Sequence, residues 1–229
     1  MIIKINNVTK TYDMGRNSVC ATDNVNIDIE QGELIAIIGA SGSGKTTLLN
    51  MIGGLIKPTS GVIQYDNLDI YSLNDTELSE FKVKNIGYVF QQFELLPELT
   101  VQENILLPVI IDKKKTSSED TEHMNRIAKI LDISEKLPSY PDEISGGQQQ
   151  RVAIARALIN SPAVLLCDEP TGNLDSKNSN EVIDLLKKIN REFSTSVIIV
   201  THNPDIASDC NRIIKLSDGK IVSDTELTR

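Results

Sequence analysis

The chain of 229 residues is 40% hydrophobic and carries a formal net charge of −9 at pH 7. This length suits one sizeable α/β domain, and the acidic charge argues against nucleic-acid binding and against attachment to lipid by charge alone. The three cysteines form no C-x-x-C pair, which favours a reducing compartment over a disulfide framework. The longest apolar stretch, residues 105–111, is short and broken by Pro108, and the N-terminus turns polar too early for a signal peptide. We therefore expect no direct membrane insertion.

The first ninety residues predict mainly strands. Residues 2–8 are β-rich and residues 25–29 alternate between apolar and polar, which indicates half-buried strands of an antiparallel sheet. The apolar run 34–38 predicts a buried strand. The elements expected next are a turn at 58–61, a strand at 62–65, a helix at 74–84 with Asn74 as its N-cap, and a strand at 86–90.

The middle of the chain predicts helices. The pattern is helical from Thr100 to Leu131, Thr100 and Glu103 form a capping box, and the run 113–118 indicates an exposed connector. Residues 91–145 are therefore expected to be a helical insertion.

The remainder predicts a return to an α/β core. The expected elements are a helix at 147–159, a buried strand at 163–167, a helix at 176–192, a strand at 196–200, and a hairpin of 213–216 with 220–222. The predicted fold class is thus α/β. One domain spans 1–229, with a nucleotide-binding core and β subdomain at 1–90 and 146–229.

The stretch after the buried strand 34–38 has the spacing G-x-x-x-x-G-K-[ST]. Its residues are Gly39, Ala40, Ser41, Gly42, Ser43, Gly44, Lys45, Thr46 and Thr47. Glycines let backbone N–H groups point inward, and the helix that follows adds the positive end of its dipole. Lys45 suits the β- and γ-phosphates of a nucleotide, and the Thr46 hydroxyl suits Mg²⁺.

Two carboxylates follow the buried strand 163–167. Asp168 and Glu169 are expected at the carboxyl edge of the sheet, where α/β folds bind ligands. Asp168 can hold Mg²⁺, and Glu169 can orient or deprotonate an attacking water.

A second anion site is predicted at residues 145–148. Ser145 is a plausible N-cap, and Gly146 and Gly147 leave N–H groups bare at a helix start. One triphosphate does not need two such sites from one chain. Two chains that close on shared nucleotide are therefore expected.

These motifs together resemble the nucleotide-binding subunit of ABC transporters, which has a P-loop NTPase, RecA-like core with an antiparallel β subdomain and an inserted helical subdomain. The loop at 39–47 resembles Walker A, residues 164–169 resemble Walker B, and 145–149 resemble the ABC signature. Further matches are Tyr12 for the adenine-stacking aromatic, Gln91 for the Q-loop, residues 173–175 for the D-loop, and His202 for the switch histidine.

The resemblance implies ATP hydrolysis with Mg²⁺ by a head-to-tail, ATP-induced homodimer. It implies Mg²⁺ ligands at Thr46, Asp168 and Gln91, and catalytic roles for Lys45, Gln91, Glu169 and His202. It also implies nucleotide contacts from Tyr12, residues 39–47 and Asp175, and from the signature of the partner chain, which consists of Ser145, Gly146, Gly147 and Gln148. It also implies a separate membrane permease that holds the chain on the cytoplasmic face of the membrane.

The runs at 86–97, 140–145 and 168–175 are similar to one bacterial branch, which includes lipoprotein-release, macrolide-efflux and bacitracin-resistance ATPases. Phe93, Leu95 and Leu96 are either the permease contact or subdomain core. The alternative function is an ABC ATPase outside transport that acts as a nucleotide switch, such as a cell-division regulator.

Overall fold

The computed structural model describes residues 3–15 and 17–227. The strands are β1 (Ile3–Met14), β2 (Asn17–Ile29), β3 (Leu34–Ile38), β4 (Ser60–Tyr65), β5 (Leu68–Asp69), β6 (Ile86–Val89), β7 (Val164–Asp168), β8 (Ser196–Thr201), β9 (Arg212–Ser217) and β10 (Lys220–Glu226). The α-helices are α1 (Lys45–Ile52), α2 (Asp75–Asn85), α3 (Val101–Lys113), α4 (Ser118–Ile130), α5 (Gly146–Leu158), α6 (Ser176–Phe193) and α7 (Pro204–Ser208).

One sheet is antiparallel and has the strand order β2-β1-β4-β5. The predicted strands at 2–8 and 25–29 pair in it, although residue 2 lies outside the described residues. Both strands are much longer than predicted, because the residues between the two predicted segments continue the β1–β2 pairing through several register shifts. Hydrophobic alternation marks only the half-buried part of such a hairpin.

The second sheet has the order β10-β9-β3-β8-β7-β6 among the described residues. Strands β9, β3, β8, β7 and β6 pair in parallel, and β10 pairs antiparallel to β9. The β9–β10 turn uses Asp218 and Gly219, both at positive φ, as a two-residue hairpin loop does. The predicted α/β fold class and final hairpin are confirmed.

The segment between β6 and β7 is helical. Helices α3 and α4 of this segment each begin with a capping box, including the one predicted at Thr100 and Glu103, and so does α2, which precedes β6. Helix α3 runs through Pro108, so this proline breaks the apolar stretch without ending the helix. Helix α5 begins one residue earlier than predicted, at Gly146.

Alternate residues of β3 enter two different cores. Leu34 and Ala36 pack in a core shared with α3, α4, α5 and α6, whereas Ile35 and Ile37 pack with α1 and the antiparallel sheet. The parallel sheet is therefore covered on both faces, which explains why its strands are continuous apolar runs. Cys167, at the end of the predicted buried strand 163–167, is fully buried, and burial raises the pKa of its thiol.

Within residues 3–15 and 17–227, no helix combines the length and the apolar character needed to cross a membrane.

Candidate nucleotide-binding and catalytic site

Three predicted motifs meet at one edge of the parallel sheet. The phosphate loop follows β3, the two carboxylates lie at the end of β7, and His202 follows β8. The register places Ile38 beside Thr201 and Asp168 beside Val200. Carboxyl ends of parallel strands share an edge, so these side chains converge although they are distant in sequence.

The phosphate loop is shaped by close backbone contacts. Gly44 is the N-cap of α1 with φ 99°, and a Cβ there would lie 2.0 Å from the carbonyl oxygen of Ala21. Among the residues that the structure describes, no side chain caps α1, so its first N–H groups remain for an anion. The buried Ser43 hydroxyl has no hydrogen-bond partner among the described residues. These features fit a phosphate chain.

Lys45 lies folded back on this loop. Its ammonium donates to the carbonyl oxygens of Gly39, at 2.9 Å, and Ala40, at 2.8 Å, and the residue is only 7% exposed. Both acceptors are neutral, so the charge of Lys45 is not cancelled by these contacts and remains for phosphate.

Thr46 and Asp168 place two oxygen atoms side by side. The Thr46 hydroxyl donates to Asp168 Oδ1 at 3.0 Å. Burial raises the pKa of the Asp168 carboxyl, the Thr46 hydrogen bond acts in the opposite direction, and the Glu169 charge adds to the rise. A hydroxyl and a carboxylate are hard oxygen donors, which Mg²⁺ prefers, so the residues fit this ion.

Glu169 and His202 form a pair at the same edge. His202 Nδ1 lies 2.9 Å from Glu169 Oε1, and the Glu169 side chain is 15% exposed against 71% for His202. Glu169 has φ 46°, a left-handed conformation that is rare for a residue with a Cβ. Its N–H donates to the Val200 carbonyl at 2.9 Å, which helps to hold this strained backbone.

A cavity of about 460 Å³ joins these groups. Its lining residues are Ser41, Gly42, Lys45, Thr46, Gln91, Glu169 and His202. Gln91 follows β6, which pairs in parallel with β7, and its carbonyl accepts a hydrogen bond of 2.9 Å from the Asn173 amide. The structure thus brings the predicted Q-loop, Walker A, Walker B and switch residues to one place.

The signature residues do not line this cavity. Ser145 caps α5 and forms a capping box with Gln148, which matches the expected N-cap. A Cβ at Gly147 would lie 2.7 Å from Asn178 Oδ1, whereas one at Gly146 would make ordinary contacts of 3.8 Å with Phe93 and Leu174.

Asp175 lies close to this second site. Its carboxylate caps α6 by accepting from the Asn178 N–H at 2.8 Å, and it accepts again from the Asn178 amide at 2.8 Å. Because Asn178 also abuts Gly147, it links the predicted D-loop to the predicted signature within one chain.

Tyr12 lies on the β1–β2 hairpin, outside the lining of the cavity. It pairs with Val19, two residues before Ala21, whose carbonyl contacts Gly44. The Lys10 ammonium lies 5.2 Å from the centre of its ring. The hairpin is therefore adjacent to the phosphate loop.

The ABC transporter family matches residues 22–172, more than half of the chain. The chain belongs to this family. The uncharacterised ABC transporter ATP-binding protein MJ0796 of Methanocaldococcus jannaschii is 45% identical over 229 residues, covering 99% of this chain and 97% of that protein. Its dimer in a post-hydrolysis state, bound to ADP and Pi, has a TM-score of 0.90 at 43% identity and covers 99% of both chains.

Two further relatives have descriptive names. The lipoprotein-releasing system ATP-binding protein LolD of Geobacter metallireducens is 42% identical and matches 97% of this chain and 99% of its own. The macrolide export ATP-binding/permease protein MacB of Campylobacter jejuni is 43% identical over 98% of this chain, which corresponds to 34% of MacB. The predicted resemblance and ATPase class are confirmed: the chain is the ABC ATPase subunit of a transporter.

In this ABC ATPase, the sequence did not reveal the role of Arg156. Its guanidinium donates to the carbonyl oxygens of Phe93, at 2.8 Å, and of Glu94, two and three residues after Gln91. Arg156 thereby ties the signature helix α5 to the Q-loop segment. The only signal was an arginine within the apolar run 152–158.

Arg156→Ala is expected to lower the free energy of unfolding by about 2 kcal/mol, because two backbone carbonyls lose charged donors. Urea unfolding measures this difference. The matched control is Arg191→Ala, an exposed arginine of α6, for which a change below ~0.5 kcal/mol is expected. Equal changes in both variants would contradict the role of Arg156 as a clamp.

Proposed function

We propose that this ABC ATPase drives a separate membrane permease of the export or mechanotransmission type, acting on lipoproteins, macrolides or antimicrobial peptides. The observation that carries the ATPase site is the cavity where Lys45, the Thr46–Asp168 pair, Gln91 and the Glu169–His202 pair meet. The names of LolD and MacB support the transport class.

The reaction is ATP + H₂O to ADP and phosphate. Lys45 and the loop amides offset the charge that spreads over the transferring phosphoryl group. Thr46, Asp168 and Gln91 would hold Mg²⁺, which would neutralise part of the charge on the phosphates.

Glu169 is the proposed general base. Its carboxylate is shielded and oriented by His202, so it can position the attacking water and accept its proton. His202 is largely exposed, and its Nε2 remains for the γ-phosphate while Nδ1 faces Glu169.

The second anion site requires a partner chain in this proposal. Ser145, Gly146, Gly147 and Gln148 lie outside the cavity that holds Lys45, and two chains arranged head to tail would bring each signature to the other's phosphate loop. The solved MJ0796 dimer supports a two-chain assembly. ATP closes this dimer, hydrolysis releases it, and Asp175 communicates across it.

The proposed permease contact lies in the helical segment 91–145, which we propose as a subdomain. Leu96 is 43% exposed, Phe93 is half-buried beside Gly146, and Leu95 packs against the core. Each of the two predicted alternatives, core or permease contact, therefore applies to a different residue. Leu95 belongs to the core, and Leu96 is available to a partner. A permease at this surface would place the chain on the cytoplasmic face of the membrane.

Leu96→Asp is expected to reduce the permease that co-purifies with the tagged chain at least about fivefold, because the substitution adds a charge to an apolar contact. Phosphate release by the isolated chain should stay within about twofold, since Leu96 does not line the cavity. Mass spectrometry of solubilised native membranes and a phosphate assay measure the two quantities.

Val222→Asp is the matched control, because Val222 is 55% exposed on β10 at the opposite sheet edge from β6. Active protein that recovers no membrane partner from native membranes would contradict the transport proposal and favour a switch.

A further inference from the structure

The phosphate loop is enclosed by two segments that are distant in sequence. A Cβ at Gly39 would lie 2.3 Å from the carbonyl oxygen of Leu216 on β9, and one at Gly44 would lie 2.0 Å from that of Ala21 on β2. Both distances are far below any tolerated contact, so the backbones of β9 and β2 touch the loop directly. Any shift of either strand would deform the loop.

The tip of the β9–β10 hairpin joins these neighbours by hydrogen bonds. The Gly219 N–H donates to the carbonyl of Ser43 in the loop at 3.1 Å, and the Gly219 carbonyl accepts from the Asp23 N–H of β2 at 2.9 Å. One residue therefore bridges the phosphate loop and the β1–β2 hairpin. The ion pair of Lys220 with Asp23, at 3.1 Å, reinforces the second contact.

Glycine suits this bridging position better than a residue with a Cβ. Gly219 is buried and has φ 77°, a conformation that residues with a Cβ rarely adopt. A Cβ would lie 3.0 Å from the Ala21 carbonyl oxygen and 3.1 Å from Thr22 Cα. A larger residue would thus push the hairpin tip away from β2.

The β1–β2 hairpin also carries Tyr12. Tyr12 pairs with Val19, which lies two residues before Ala21, and the Ala21 carbonyl contacts the phosphate loop. We propose that Gly219 is a positioning residue that fixes the distance between the phosphate loop and the hairpin of Tyr12. It lets the two hold the triphosphate and the base of one ATP at the same time. This inference rests on the proposed ATP contacts of Tyr12 and the loop.

The geometry predicts which part of ATP affinity depends on Gly219. Inorganic triphosphate binds to the phosphate loop alone, whereas ATP binds to both the loop and Tyr12. ATP gains affinity from both contacts only when the distance between the loop and Tyr12 is correct, so a change in this distance reduces the gain. Gly219→Ala should therefore weaken Mg-ATP binding about tenfold and Mg-triphosphate binding by less than about twofold. Competition against a fluorescent ATP analogue measures both dissociation constants in the full chain.

The chain offers a matched control in Gly32→Ala. Gly32 has the same φ of 77°, and a Cβ there would meet nothing within 4 Å. It lies in the turn between β2 and β3 and has the same backbone strain without touching the loop. In Gly32→Ala, the ratio of ATP affinity to triphosphate affinity should stay unchanged. This control therefore distinguishes the effect of backbone strain from the loss of the bridging contact.

The variant Tyr12→Ala separates a failure of the base contact from a failure of the bridging contact. Tyr12→Ala should reproduce the selective loss of ATP affinity. No effect of Tyr12→Ala would refute the proposed base contact, whereas an effect of Tyr12→Ala without one of Gly219→Ala would overturn the bridging role alone. Equal weakening of ATP and triphosphate by Gly219→Ala would overturn it as well.

If Gly219→Ala does not fold, Lys220→Glu tests the same contact by placing like charges between the hairpin and Asp23. A selective loss of about twofold is expected from this exposed pair, and an unchanged ratio would contradict the proposal.

Discussion

Glu169→Gln is expected to lower phosphate release by a factor of about 10²–10³ while leaving ATP bound, because the amide keeps the shape of the side chain and removes the proton acceptor. The backbone of Glu169 supports this expectation. Its left-handed φ and its hydrogen bond to Val200 do not depend on the side-chain charge, so the amide should occupy the same place beside His202.

The trapped nucleotide should also change the assembly. With Mg-ATP, Glu169→Gln should elute from a sizing column as a dimer, and without nucleotide as a monomer, because ATP that is not hydrolysed keeps both chains closed on it. Multi-angle scattering on the same column gives the mass.

Asp205→Asn is the matched control, because Asp205 is an exposed carboxylate three residues after His202 that does not line the cavity of 460 Å³. This variant should hydrolyse ATP at close to the native rate. A Glu169→Gln protein that binds ATP and remains monomeric would show that the permease is needed to assemble the site.

Much of the site could be predicted because each motif combines a local pattern with a position in the sheet. The loop at 39–47 follows a continuous apolar strand, and Asp168 follows another, so both had to lie at one sheet edge. The capping box at Thr100 and the N-cap at Ser145 were also predicted, because a cap depends on residues only three apart.

Contacts between distant segments could not be predicted in this way. The hydrogen bonds from Arg156 to Phe93 and Glu94, and from Gly219 to Ser43, join residues whose relation is set by tertiary packing alone. The full length of the β1–β2 hairpin was not predicted either, for a local reason. Its first residues in β2 are exposed on both faces, so they lack the alternation that marks a half-buried strand.

A mixture of Lys45→Ala and Gly146→Asp, both in the Glu169→Gln background, is expected to retain ATP although neither variant does so alone. In a head-to-tail dimer, each site takes its phosphate loop from one chain and its signature from the other. The mixed dimer therefore contains one site with both defects and one site with none. Removing the Lys45 charge or repelling the phosphates at Gly146 should weaken retention at least about tenfold in the separate proteins.

Gly146 is the better signature position to change. A Cβ there makes ordinary contacts of 3.8 Å, and an aspartate in the first turn of α5 favours the helix, so the fold is preserved. A Cβ at Gly147 would instead collide with Asn178 at 2.7 Å and disturb the cap at Asp175. Only the variant at Gly146 separates charge repulsion from misfolding.

Filter retention of radiolabelled ATP, with the dimer mass from scattering, counts nucleotides per assembly. The mixture should hold one ATP per mixed dimer, and unmixed Glu169→Gln protein should hold two. If each signature served the phosphate loop of its own chain, the mixture would contain no intact site, because one chain would lack Lys45 and the other a working signature. Retention no higher than in the separate variants would then exclude the head-to-tail arrangement, whereas one retained ATP requires that a site be built from two chains.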